Sequence, residues 1–325
     1  MPLIFISSPV HPAIVDAARQ FARVALGYGP DALAYDDIAT DVDAVLLRSG
    51  QFSDPMMAGS PGLRIIARHG VGTDSVDIPA ASRRGIWVTN TPGRNSRAVA
   101  EHVFALILGL ARKLAEAAAR TRSGHWSEDR ARLDGIELEG RTLGLLGQGS
   151  IGQIVARIGT GFGMKVITCD PALDQDMPDV VGLAELLRRS DVISLHLPLL
   201  PETRRIIDAD AISRMKDGAL LINTARGGLV DEAALTEALR SGKLGGAGLD
   251  VLDAENLDMI SPMAHNRLPI AEFPNLLVTP HIGGQTNESL LRVGQAALDD
   301  IRAVLNGEVP GFAVNRPDLA ARSDV

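Results

Sequence analysis

The segment Gly147-Gln148-Gly149-Ser150-Ile151-Gly152 restricts the fold more than any other stretch of the chain. It follows an apolar run, Thr142–Leu146, that reads as a buried strand, and it opens a stretch with Ile154, Val155 and Ile158 at the spacing of a helix face. A strand that turns within a few residues into a helix needs a backbone bare of side chains. Gly147 permits the tight turn, Gly149 lets the backbone approach a bound group, and Gly152 allows the helix to pack on the strand. The start of such a helix presents N–H groups to an anion, here the pyrophosphate of a dinucleotide. Glycine turns of this kind are common, so context carries the weight. Asp170 ends the next apolar run, Lys165–Thr168, and lies 18 residues beyond Gly152, near the ~20-residue offset at which a carboxylate meets an adenosine ribose. A 2′-phosphate would meet like charge there, and Pro171-Ala172-Leu173 offers no Arg to receive it, so NAD is expected rather than NADP.

The same alternation of apolar runs and amphipathic stretches extends over the whole chain of 325 residues, long enough for two domains at roughly 150 residues each. Leu3–Ile6, Ala44–Arg48, Arg64–Arg68 and Ile86–Thr89 read as buried parallel strands, with helices over Pro12–Ala25 and Pro79–Arg84. Ser96–Arg122 reads as one long linking helix. Strands are then expected at Thr142–Leu146, Lys165–Thr168, Val192–Leu195, Ala219–Ile222, Gly248–Val251 and Leu276–Val278, with helices such as Ile151–Gly159, Leu183–Arg189 and Glu232–Ser241 between them. A last helix, Thr286 to Leu305, comes too late for a third domain and is expected to pack back on an earlier one. The fold class is α/β, with two doubly wound sheets.

Composition narrows the partners. Lys+Arg 32 against Asp+Glu 40 gives a net charge of −8, which leaves no broad basic surface for a phosphodiester backbone or anionic lipid, so neither nucleic acid nor membrane is an expected partner. The single cysteine, Cys169, rules out an intrachain disulfide and a four-cysteine metal site, and a cytoplasmic location and no metal are expected. The strongest apolar run, Val103–Ala111, falls far short of the ~20 residues of a membrane span.

Three ionisable groups stand near the carboxyl ends of expected strands in the second sheet, where open α/β sheets bind ligands. Arg226 lies in Asn223-Thr224-Ala225-Arg226-Gly227-Gly228, among small residues that would let a carboxylate and its adjacent carbonyl reach a planar guanidinium. His281 sits between Pro280 and Ile282-Gly283-Gly284, and an imidazole so placed can exchange a proton near neutral pH. A carboxylate beside it would stabilise the imidazolium and fix its orientation, but Asp250, Asp253, Glu255 and Asp258 crowd one loop and spacing does not choose among them. His11, His69, His102, His125, His196 and His265 receive no catalytic role on these grounds.

Taken in order, these segments resemble the D-isomer-specific 2-hydroxyacid dehydrogenase family, and its D-3-phosphoglycerate dehydrogenase branch most closely. The likeness rests on Arg68 to Asp77, Asn90-Thr91-Pro92, Asn95 to Glu101, the glycine motif, Ser194 to Pro198, Asn223 to Glu232, Gly248 to Val251 and Thr279 to Gly284. It implies two Rossmann-like domains, with a cofactor domain (96–283) inserted into a split substrate domain (1–95 and 284–325). It places the catalytic Arg, Glu and His on Arg226, Glu255 and His281, Asp250 beside the nicotinamide carboxamide, and Thr224, Ala225 and Gly283 at the nicotinamide end. Ser150 and Ile151 would lie over the pyrophosphate, His196, Pro198 and Thr203 would lie around the adenosine, and backbone N–H groups of Gly70, Val71 and Gly72 would hold the substrate carboxylate. Arg48 resembles the phosphate-binding position of phosphoglycerate enzymes, although Gly50 stands where some members carry a second Arg, and Asn256 replaces the family's common Pro after the Glu. The expected activity is NAD-dependent interconversion of a 2-oxo and a D-2-hydroxy acid, with phosphoglycerate, hydroxypyruvate, glyoxylate and sulfolactate as candidate substrates. The resemblance further implies a homodimer with arms near residues 115 to 140, and, with the sequence ending at Val325, no serine feedback. The alternative is a non-catalytic NAD(H)-sensing binding protein on the same scaffold.

Overall fold

The computed structural model describes residues 1–126, 128, 130–258 and 261–319. Ser127 and Asp129 of the expected arm, Met259 and Ile260 of the loop after Glu255, and residues 320–325 of the expected last segment lie outside the described residues. The chain forms two compact units, one from Met1–Asn95 with Gln285–Val325, the other from Ser96–Gly284.

The first unit opens with β1 (Leu3–Ile6), α1 (Pro12–Arg19), β2 (Arg23–Leu26), α2 (Tyr35–Ile38), β3 (Ala44–Leu47), α3 (Asp54–Ala58), β4 (Ile65–Arg68), α4 (Ile78–Arg83) and β5 (Trp87–Thr89). These strands form one parallel sheet in the order β2-β1-β3-β4-β5. Every residue of β1, β3 and β4 is buried, because both faces are covered. Phe5, Val45 and Ile66 meet Tyr35, Phe52 and Met57 on one side, while Ile4, Ile6 and Ile65 meet Ile14 of α1 and residues of the chain's last helix on the other.

The second unit begins with α5 (Ser96–Ala111) and α6 (Leu114–Arg122), followed by β6 (Thr142–Leu146), α7 (Ser150–Gly161), β7 (Lys165–Cys169), α8 (Leu183–Arg189), β8 (Val192–Leu195), α9 (Ala209–Arg214), β9 (Ala219–Asn223), α10 (Glu232–Arg240), β10 (Leu244–Leu249) and β11 (Leu276–Val278). Its sheet is parallel throughout, in the order β11-β10-β9-β8-β6-β7. The last helix, α11 (Asn287–Leu305), is capped by Thr286 Oγ1 accepting from Ser289 N at 3.2 Å, and it packs Ala297, Leu298, Ile301 and Val304 into the first unit.

Two expected elements are corrected. The helix expected over Pro12–Ala25 stops at Arg19, and Arg23–Leu26 forms the edge strand β2 instead, where Val24 and Leu26 pack on the core of the first unit. Pairing with β1 outweighs the helical spacing of so short a stretch. The linking helix expected over Ser96–Arg122 is two helices. Lys113 adopts a left-handed backbone (φ 50°), and the Ala111 carbonyl accepts from Ile136 N at 2.9 Å, so the returning chain occupies a carbonyl at the end of α5.

Two buried histidines make the fold less stable in acid. Burial holds His69 down to about 4, helped by the positive charges of Arg48 and Arg68, and burial alone brings His196 to about 4. Both lie below the ordinary value of 6.5, so the unfolded chain binds these protons first as pH falls. Their contribution is complete above pH 6.5 and is lost as pH falls toward 4. His69→Gln should therefore lose about 2 kcal/mol less stability than the parent between pH 7.5 and pH 5, measured by urea denaturation at both values. Equal losses would show that His69 is not the group titrating.

Candidate active site

Parallel strands send every following loop to the same edge of a sheet. Along the carboxyl edge of the second unit, β11 is followed by His281, β10 by Asp250 and Glu255, β9 by Arg226, β8 by His196, β6 by the glycine turn and β7 by Asp170. With strands about 4.8 Å apart, the loops after β9, β10 and β11 are direct neighbours. The turn after β6 lies two strands from Arg226, beside the point between β6 and β8 where the chain reverses its direction of progress across the sheet.

Three of the expected residues come together at one end of this edge. His281 Nδ1 lies 2.7 Å from Glu255 Oε2, and Glu255 Oε1 accepts from Leu252 N at 3.0 Å, so both carboxylate oxygens are committed and the ring is held from one side. Glu255 is largely buried, whereas the His281 side chain is 47% exposed. With Nδ1 facing the carboxylate, proton exchange with a ligand would run through the ring's other nitrogen, Nε2. Arg226 lies in a loop braced by Asn223, whose Oδ1 accepts from Ala225 N at 3.0 Å and whose Nδ2 donates to the Arg226 carbonyl at 2.8 Å. The Arg226 guanidinium itself donates to the Ala225 carbonyl at 2.7 Å.

Gly227 joins the two loops. A Cβ there would stand 2.0 Å from the Leu252 carbonyl carbon and 2.2 Å from Asp253 N, so the Arg226 loop and the Glu255 turn are in backbone contact that only glycine permits. Glu232, at the start of α10, adds a second tie by accepting from Asp253 N at 2.9 Å. Burial pushes the Glu232 carboxyl above its ordinary value, and the nearby charges of Asp253, Asp231 and Glu255 add to this. Sequence reading assigned Glu232 no role. Its signal was available, an acidic residue after Val230-Asp231 at a helix start, but the partner lies 21 residues away in the chain.

The four crowded carboxylates separate cleanly. Asp250 turns inward, 2% exposed, Glu255 faces His281, Asp253 Oδ1 lies 3.9 Å from Arg204 Nη1, and Asp258 Oδ1 accepts from Ser261 N at 2.9 Å. Asp250 Oδ1 accepts from Thr279 Oγ1 at 2.6 Å and Ile282 N at 2.9 Å, and Oδ2 accepts from Gly283 N at 2.7 Å. Burial by itself would raise the Asp250 carboxyl, but hydrogen bonds from His102, Thr279, Ile282 and Gly283 hold it below the ordinary carboxylate value. Gly283 is thus committed to Asp250.

At the other end, α7 begins at Gly149 without a side-chain cap, and a Cβ on Gly149 would meet nothing within 4 Å, so the turn faces open space. A Cβ on Gly152 would lie 2.5 Å from the Gly147 carbonyl. Exposed Ser150 and half-buried Ile151 occupy the first turn of this helix. Asp170 is fixed by Gln148 N at 2.8 Å and Ala172 N at 2.9 Å. The His196 ring abuts Gly152, and its Nε2 and Thr224 Oγ1 are buried without a hydrogen-bond partner among the described residues. Thr203 Oγ1 donates to the Pro198 carbonyl at 2.7 Å, which ties those two residues together. Uncapped helix amides, a glycine cradle and orphaned polar atoms along one edge fit a dinucleotide.

In the first unit, the loop after β4 is held by its carbonyls. The carbonyls of Gly70, Val71 and Gly72 accept from Thr91 N, Asn90 Nδ2 and Arg68 Nε at 3.0, 2.8 and 2.9 Å, while their amides make no hydrogen bond among the described residues. Arg48 is partly buried, its N donates to Ser7 Oγ at 2.9 Å, and its guanidinium donates to the Pro9 carbonyl. No described group of three or more His, Cys, Asp or Glu could hold a metal ion, and no helix among the described residues is long and apolar enough to cross a membrane.

Residues 104–283 match the sequence model of the D-isomer specific 2-hydroxyacid dehydrogenase NAD binding domain. The chain belongs to that family. It is 39% identical over 321 residues to the D-3-phosphoglycerate dehydrogenase of Mycobacterium leprae (97% of this chain, 59% of that protein), and 36% identical to the glyoxylate reductase of Aeropyrum pernix (99% and 98%). It spans 57% to 60% of the length of the D-3-phosphoglycerate dehydrogenases it matches. Among solved structures, D-lactate dehydrogenase from Aquifex aeolicus complexed with NAD and lactic acid is 32% identical, with a TM-score of 0.82 over 96% of this chain and 98% of that one. This two-sheet, Rossmann-like α/β fold is therefore that of the D-2-hydroxyacid dehydrogenases.

Gly227→Ala should separate the Arg226 loop from the Glu255 turn. The expected result is a folded protein, checked by circular dichroism, with kcat/KM for 2-oxo acid reduction at least about 100-fold lower. Retained activity would mean that the close contact is dispensable.

Proposed function

We propose that this protein is an NAD-dependent D-2-hydroxyacid dehydrogenase that reduces a small anionic 2-oxo acid or oxidises the matching hydroxy acid. The observation that carries the reading is the His281–Glu255 pair at 2.7 Å, on the strand-end edge next to Arg226. The second unit is the NAD domain, and the first, with α11, is the substrate domain.

NAD, when bound, supplies or takes up the hydride. Gly147, Gly149, Ser150, Ile151 and Gly152 would hold its pyrophosphate, Asp170 its adenosine ribose, and His196, Pro198 and Thr203 would border the adenosine. Thr224, Ala225, Asp250 and Gly283 would line the nicotinamide end. The chain's own groups divide the remaining work. Amides of Gly70, Val71 and Gly72 bind the substrate carboxylate. Arg226 draws electron density onto the carbonyl oxygen, and His281 Nε2 delivers a proton to that oxygen as it becomes an alkoxide. Glu255, accepting at Nδ1, compensates the charge of the imidazolium before transfer and keeps the ring in place. In oxidation His281 accepts the hydroxyl proton. Arg48 is assigned to a second anionic group on the substrate, which favours phosphoglycerate or sulfolactate over glyoxylate. The relatives named above as phosphoglycerate dehydrogenase and glyoxylate reductase support the class rather than one member of it.

We further propose a cytoplasmic homodimer. No residue of α6 is buried within the chain, and Leu114 and Trp126 are 55% and 74% exposed, which fits an arm covered by a second copy.

His281→Ala should lower kcat by about 10²- to 10⁴-fold while NADH affinity, read by fluorescence titration, changes little. Intact turnover would refute the assignment. Comparing kcat/KM for oxo acids with and without a distal phosphate or sulfonate tests Arg48, since equal values for glyoxylate and the doubly charged acids would remove its role. Asp170→Ala should narrow the preference for NADH over NADPH, measured as the ratio of their kcat/KM values, because the charge that repels a 2′-phosphate is gone. An unchanged ratio would place cofactor choice elsewhere.

A further inference from the structure

His281 has a left-handed backbone, φ 53°, in a residue that carries a Cβ. That conformation is disfavoured and persists only where surrounding contacts hold it. The contacts come from Asp250, Thr279 and one further side chain. His281 N donates to the carbonyls of Asp250 and Thr279 at 3.0 and 2.9 Å, and the Asp250 carboxylate fixes Thr279, Ile282 and Gly283 on either side of it. The further group is His102 of α5, whose Nε2 lies 2.9 Å from Thr279 Oγ1 and 3.4 Å from Asp250 Oδ1.

The proton inventory settles who donates. A hydroxyl has one proton, and at 2.6 Å from an ionised carboxylate the proton of Thr279 lies toward Asp250 Oδ1. The Thr279 oxygen can then only accept from His102, so His102 Nε2 carries a hydrogen. It aims that hydrogen at Thr279 Oγ1, with Asp250 Oδ1 close by. Asp250 is 2% exposed, and each donor removed from it leaves charge without compensation.

The same helix makes a second polar tie. Ser96 Oγ, six residues earlier on α5, donates to Ser150 Oγ at 3.0 Å, at the start of α7. One helix therefore braces both the glycine turn and the His281 turn.

We propose that His102 is a positioning residue for the acid/base histidine: its Nε2–H completes the Thr279–Asp250 clamp that keeps His281 in its left-handed turn and its ring on Glu255. This rests on the reading of His281 as the proton donor, but the clamp has a readout independent of turnover.

The test compares His102→Leu and His102→Gln in the full chain. Leu removes the donor, whereas the Gln amide nitrogen reaches a position close to that of Nε2. His102→Leu should lower kcat for 2-oxo acid reduction about 10- to 100-fold, with the NADH dissociation constant within about threefold of the parent, and His102→Gln should restore most of kcat. Thr279→Val should cost a similar factor, and the double variant Thr279→Val/His102→Leu should be little worse than either single one, as expected for two members of one clamp. Long-range ¹⁵N–¹H spectra of the protein without cofactor supply the independent reading. In the parent the neutral His281 ring should hold its proton on Nδ1; in His102→Leu the two tautomers should mix; in His102→Gln the parent state should return. Turnover of His102→Leu within threefold of the parent, equal loss of turnover and NADH affinity, failure of Gln to rescue, or an unchanged His281 tautomer in His102→Leu would each overturn the proposal. If the parent reduces no 2-oxo acid, the assigned reaction fails, and the spectra still decide whether His102 holds the turn.

Discussion

Six strands running in one direction deliver every strand-to-helix loop of the second unit to the same edge, and the site depends on that constraint. In a parallel sheet the crossover connections lie on the faces, so the carboxyl edge is the one place where loops from distant parts of the sequence converge without crossing. Arg226, Glu255 and His281 come from three consecutive strands of the spatial order, β9, β10 and β11. The glycine turn follows β6, which is first in sequence within that sheet yet lies inside the spatial order, and this arrangement separates the glycine turn from the His281–Glu255 pair by three or more strand spacings.

Convergence of loops does not by itself bring reactive groups into contact, and here the distance is closed by residues with no side chain or with a committed one. Gly227 lets two loop backbones touch. Asn223 and Glu232 then spend their side chains on backbone groups of those loops. Asp250 does the same for the turn after β11, so an ionised carboxylate survives almost complete burial by accepting from several donors. These side chains are committed to holding backbone, whereas His196 Nε2 and Thr224 Oγ1, which lie along the edge assigned to the cofactor, are among the buried atoms without a partner among the described residues.

Much of this was legible in the sequence. The strands of both sheets show as short apolar runs because parallel strands are buried on both faces, and the glycine turn shows because its three glycines have separate steric reasons. Boundaries were less legible. Arg23–Leu26 is too short to display a period of its own, and the break after Ala111 depends on Ile136, a partner that local spacing does not reveal. The choice among Asp250, Asp253, Glu255 and Asp258 was closed to spacing because all four lie within nine residues, and their separation depends on which way each short turn faces. His102 was set aside for a related reason: it sits in the middle of an apolar helix, and its partner Thr279 is 177 residues away.

The first unit spends a buried side chain on backbone in the same way, with a cation in place of a carboxylate. Arg68 is 7% exposed, and its guanidinium donates to the carbonyls of Leu47, Arg48 and Gly72 at 3.0, 3.0 and 2.9 Å. A cation used in this way acts through the backbone: it holds the Gly72 carbonyl, while Asn90 and Thr91 hold the two before it. With their three carbonyls satisfied within the protein, the amides of this loop have no hydrogen-bond partner among the described residues, and the exposed Val71 side chain, at 41%, brings no polar group to them. Arg48, just after the adjoining strand β3, is tied to the same arrangement through its carbonyl, which accepts from Arg68 Nη1 at 3.0 Å, so one buried guanidinium fixes backbone on two neighbouring strand ends.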